Sequence, residues 1–93
     1  MTLEEFVNES IRQSAAKGYN PTTFMTMREK YTTIEAINKL LKTSDPQSGY
    51  KRMVQLGLKE WTLESAVQMF PAIFTDKLVQ ANATARLEGL LDA

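Results

Sequence analysis

The sequence predicts an all-α protein, a compact bundle of five or six short helices in which residues 1–93 form a single domain. Three observations lead there. Apolar residues recur three and four positions apart, Thr, Asn, Asp and Pro punctuate the chain at short intervals as helix starts, and no stretch shows the strict alternation of a strand.

The first helix opens with Thr2 as cap and Glu5 three positions on, a capping box. Leu3, Phe6, Val7, Ile11 and Ala15 make its apolar stripe, and Gly18 supplies the left-handed residue that ends it. Asn20 and Pro21 then restart the chain as cap and first helical residue, with Phe24, Met27 and Tyr31 on one face. Thr32 and Glu35 repeat the capping box ahead of Ile34, Ile37, Leu40 and Leu41.

Ser44-Asp45-Pro46 is the next break, and a fourth helix is expected to begin near Gly49. Tyr50, Met53, Val54 and Leu56 are its expected buried side, with Gly57 closing it. Leu58-Lys59-Glu60-Trp61 reads as a connector. Thr62 caps a fifth helix carrying Leu63, Ala66, Val67 and Phe70, and Pro71 ends it, because the residue before proline is disfavoured in the helical region. Thr75-Asp76 caps a sixth, running to about Leu91. Its main stripe is Val79, Ala83, Leu87 and Leu90, flanked by Leu78, Ala81 and Ala85.

Composition narrows the chemistry. The chain contains neither cysteine nor histidine. That removes the thiol nucleophile, the commonest general base and the usual zinc ligands together, so no enzyme, cofactor or metal site is expected. Eleven Lys and Arg balance eleven Asp and Glu, giving no overall field toward nucleic acid or membrane. The opening Met1-Thr2-Leu3-Glu4-Glu5 is acidic where a secretory leader is basic, and no apolar run is long enough to span a bilayer. Cytoplasmic localisation is the expectation. Folding a chain of this mass leaves roughly 5,400 Å² exposed, enough burial for one modest core.

Three groups of residues are candidates for function. Trp61, in the connector, is the expected aromatic anchor for a protein partner or a second copy, with Met25 and Met69, which lie off the main stripes, as adaptable contacts. Trp61→Ala is then expected to spare the fold. The second group is basic: between Ala36 and Lys59 stand Lys39, Lys42, Lys51, Arg52 and Lys59 against Asp45 alone. In outline this is a helix-turn-helix, although Thr43 to Ser48 is long for the turn and zero net charge disfavours nucleic acid. The third is carboxylate: Glu5 and Glu9 lie one helical turn apart beside Glu4 and suggest a metal pair, but no Glu-x-x-His element accompanies them. A solvated helix start explains the same glutamates.

From Thr32 onward the order of features resembles a small bacterial all-helical domain family of unassigned function, found alone or as a C-terminal tail. The resemblance rests on Thr33-Ile34-Glu35-Ala36, the Pro46-Gln47-Ser48-Gly49-Tyr50 turn, Leu56-Gly57-Leu58, the run Trp61 to Val67, Pro71-Ala72-Ile73-Phe74-Thr75 and Arg86-Leu87-Glu88. Lys59-Glu60-Trp61 departs from the shorter step usual before the capping Thr. The resemblance implies a cytoplasmic accessory module and carries over no catalytic residue.

Overall fold

A computed structural model of the chain describes residues 1–42 and 48–89. Among them it contains six α-helices and one 3-10 turn, and no strand. The helices are α1 (Leu3–Ala16), α2 (Thr22–Lys30), α3 (Thr33–Leu41), α4 (Ser48–Gln55), α5 (Leu63–Met69) and α6 (Lys77–Leu87), with the 3-10 turn Lys59–Trp61 ahead of α5. The accessible surface of 5366 Å² matches what size alone predicts. None of the described helices is long and apolar enough to cross a membrane.

The caps form where local chemistry places them. Thr2 Oγ1 accepts from Glu5 N at 3.2 Å while Thr2 N donates to Glu5 Oε1 at 2.8 Å, completing the capping box. Thr32 accepts from Glu35 N at 3.1 Å, Thr62 from Ser65 N at 3.2 Å, and Asp76 from Leu78 N at 2.9 Å and Val79 N at 3.2 Å. At the second helix the start shifts by one residue: Pro21 occupies the cap, and Thr22 N bonds to Asn20 O at 2.8 Å. Gly18, at φ 86°, turns the chain out of α1. Ser44-Asp45-Pro46 and Leu90 lie outside the described residues.

The core gathers Phe6, Val7, Phe24, Ile37, Leu41, Val67, Phe74, Val79 and Ala83. α5 and α6 pack most closely, α2 lies on α3, α3 also touches α6, and α1 meets α5 and the 3-10 turn. Val67 is fully buried in this core, Leu40 is half-buried against it, and Leu87 is half-buried.

Several stripe members sit elsewhere than expected. On α1 the buried arc runs through Ser10 and Ser14, leaving Ala15 exposed, because 100° steps from Leu3 and Val7 return to those serines. Their hydroxyls are satisfied by carbonyls: Ser10 donates to Trp61 O at 2.5 Å and Ser14 to Ile11 O at 3.1 Å. Tyr31 is exposed, not buried, with the Lys39 ammonium 4.7 Å and the Lys30 ammonium 5.5 Å from its ring centre. Ile34, Val54, Leu78 and Ala81 also face outward, and Leu58, placed in the connector by its neighbours, is buried instead.

The inner face of α6 holds the largest departure. Arg86 is 0% exposed, and its Nη1 donates to Glu64 Oε2 at 2.8 Å; Glu64 itself is 3% exposed. Asn82 Nδ2 donates to Leu41 O at 2.7 Å, satisfying a carbonyl at the C-terminal end of α3 that the helix leaves open.

Candidate functional site

A half-open cleft of about 300 Å³ lies where α1, α2, α3 and α4 converge on the 3-10 turn. Its apolar walls include Phe24, Leu41, Met53 and Trp61, and its polar lining includes Ser10, Ser14, Tyr50 and Glu64 together with Tyr19, Asn20, Thr22 and Thr23. Each wall residue follows from its helix. Phe24 is the buried residue of α2, Leu41 ends the inward stripe of α3, and Tyr50 and Met53 lie one turn apart on α4.

Trp61 is not a protruding anchor. The 3-10 turn carries it onto the core, half-buried, with its ring stacked on Phe6 at 5.0 Å between centroids. One part of the indole is thereby fixed, and the residue still borders the cleft. Trp61→Ala therefore removes packing against the core as well as a cleft wall. Met25 and Met69 are exposed, at 37% and 55%, but neither lines this cleft. They sit on α2 and α5, two helices that pack against different neighbours.

Several polar groups of the cleft are already engaged. Tyr50 Oη donates to Arg86 O at 2.7 Å, and Glu64 receives Arg86. Thr62 Oγ1, also at the wall, donates to Lys59 O at 2.8 Å. The two serines likewise donate to carbonyls, so the hydroxyls of Ser10, Ser14, Tyr50 and Thr62 serve the backbone rather than a carboxylate base.

Tyr19 separates this cleft from a second, shallower and more open one, lined by Tyr19, Lys51, Arg52 and Gln55. Two contacts hold that partition on α4. Lys17 Nζ donates to Leu56 O at 2.9 Å, and a Cβ placed on Gly49 would stand 2.8 Å from Tyr19 Oη. Glycine at 49 thus permits the close approach of the tyrosine. Gly49→Ala is expected to swing Tyr19 aside without unfolding α4, since the clash falls on the far end of a side chain. Alanine recovers up to about 1 kcal/mol of helix propensity in exchange. Amide shift changes confined to residues 17–21 and 48–53, with little change in Tm, would be the result; changes spread through α1 and α6 would contradict it.

Of the five basic candidates, the structure brings only Lys51 and Arg52 together in a cleft. Lys39 lies over Tyr31, Lys42 pairs with Asp76 at 3.9 Å, and Lys59 is exposed on the 3-10 turn. The glutamates of α1 have separate partners. The Glu5 carboxyl is lowered by the Thr2 backbone N–H, Glu4 by its bond to Arg28, and Glu9 to about 2 by Arg12. Among the described residues no three acidic groups gather as a metal site.

Sequence reasoning missed Glu64, Arg86, Ser10 and Ser14. Arg86 did carry a signal, since it falls seven positions after Val79 and three after Ala83, within the stripe. Fold and site together define an all-α bundle with an aromatic-walled cleft beside a more open cationic one. No protein-family model, curated protein or solved structure matches this chain.

Proposed function

We propose that this chain is a non-catalytic, cytoplasmic protein-interaction module whose cleft receives a bulky apolar side chain of a partner. The observation that carries the reading is the cleft itself: about 300 Å³, half-open, walled by Phe24, Leu41, Met53 and the half-fixed ring of Trp61. A dry cavity of about 150 Å³ already accommodates benzene, so one large side chain fits. Aromatic walls held rigid by their own packing lose little freedom on binding, which is how a few residues come to dominate an interface. The engagement of the Ser10, Ser14, Tyr50 and Thr62 hydroxyls with backbone carbonyls supports binding over catalysis. An accessory module of this kind agrees with the bacterial domain family that the chain resembles from Thr32 onward.

Selection of a random peptide library on the folded protein tests the reading. Enriched peptides should share a bulky apolar residue, and Ser14→Leu, which fills the cleft from α1, should abolish the enrichment while leaving the helical spectrum intact. Ser14 suits this because it is buried and its hydroxyl serves only Ile11 O. An absence of enriched peptides, or enrichment indifferent to Ser14→Leu, would overturn it.

A further inference from the structure

The cationic cleft beyond Tyr19 is not explained by an apolar side chain alone. Lys51 and Arg52 are adjacent on α4, exposed, and among the described residues neither pairs with a carboxylate. Elsewhere in the described chain, arginines 12, 28 and 86 and Lys42 each have an acidic partner. The only described carboxylate lining either cleft is Glu64, which is buried against Arg86. The rim is therefore positive, and the neighbouring cavity combines aromatic and aliphatic walls with mostly uncharged polar groups, the Tyr19 ring lying between them.

We propose that the segment taken up is an acidic peptide, in which a bulky apolar residue enters the cleft beside Trp61 and adjoining Asp or Glu side chains lie on Lys51 and Arg52 across Tyr19. This rests on the reading of the cleft as a protein-interaction site and adds to it the charge of the partner. The two clefts share Tyr19, so their ligand groups are separated by little more than one aromatic ring. Neighbouring residues of an extended peptide are 3.8 Å apart at Cα, and successive side chains point to opposite sides. A carboxylate two positions from the apolar residue therefore lies on the same side of the peptide and reaches the cationic rim. Rim charges act mainly on selectivity and encounter rate, while the apolar residue supplies the grip.

The test uses the same peptide selection, run in parallel on the wild-type chain and on a Lys51→Glu/Arg52→Glu variant. Both substitutions are on exposed positions of α4, so the fold is retained, and the unchanged helical spectrum verifies it. Wild-type peptides are expected to carry Asp or Glu beside the apolar residue, the variant to prefer Lys or Arg there. Fluorescently labelled wild-type winners should bind the variant about tenfold more weakly, a gap that narrows with added salt. Apolar residues without acidic neighbours would overturn this inference and leave the cleft reading standing, whereas no enriched peptides would remove both. Tighter binding of a labelled oligothymidylate than of any acidic peptide, lost in the same variant, would overturn it in favour of single-stranded nucleic acid.

Discussion

Glu64→Leu is expected to destabilise the chain by about 3–5 kcal/mol, a large share of the 5–10 kcal/mol typical of a domain this small. Arg86 has no exposed surface, and a charged side chain in the interior depends on its partners. Stripping away the Glu64 carboxylate leaves that charge in the interior without the oxygen now 2.8 Å from Nη1. Adding Arg86→Met should recover most of the loss, because replacing both partners of a buried pair with apolar residues of similar volume is often neutral or stabilising. Urea unfolding of the two single variants and the double variant, followed by circular dichroism, measures the coupling. Equal losses in Glu64→Leu and the double variant would show that the pair is not what holds α5 to α6 at this point.

Phe6→Ala should cost about 3–5 kcal/mol and also change the cleft. Phe6 is almost fully buried on α1, stacks on Trp61, and meets Phe70 edge-on with centroids 6.2 Å apart. Its removal leaves a cavity at the centre of the bundle and deletes the surface against which the indole rests. Tryptophan emission should shift to longer wavelength, and peptides selected on the wild-type chain should bind more weakly even where the protein remains folded. Phe6→Leu fills most of the space, so its stability loss should be distinctly smaller while the stacking is still lost. A loss below 1 kcal/mol in Phe6→Ala would mean that Trp61 is supported from elsewhere.

Helix starts were legible because their physics is local. A threonine accepts from a backbone N–H three residues on whether or not the rest of the chain has folded, so Thr2, Thr32 and Thr62 mark α1, α3 and α5 in the sequence as they do in the structure. The inner residues Phe6, Val7, Ile37, Val67, Val79 and Ala83 were legible by helical spacing for the same reason. Exposed Ile34, Val54 and Leu78 were not, because an apolar side chain at the flank of a stripe is buried only if a neighbouring helix reaches it.

The site was less legible. Glu64 in the first turn of α5 and Arg86 in the last turn of α6 both have an adequate local explanation in the helix dipole. Nothing near either residue announces a partner 22 positions away. Ser10 likewise reads as a polar interruption until Trp61 O, 51 residues on, receives its proton. Lys39, Lys42, Lys51, Arg52 and Lys59 form one run in sequence, yet folding divides them between α3, α4 and the 3-10 turn.

By itself the sequence determined the all-α class, the helix starts at the threonines and Asp76, the capping box at Thr2 and Glu5, and most of the aliphatic interior. All of these depend on hydrogen bonds and side-chain periodicity within a few residues. Only the tertiary structure decided that Trp61 rests on Phe6, that Arg86 is buried on Glu64, and that Tyr19 against Gly49 divides an aromatic-walled cleft from a cationic one. Those contacts join elements far apart along the chain, and their geometry is set by how short helices pack across one another.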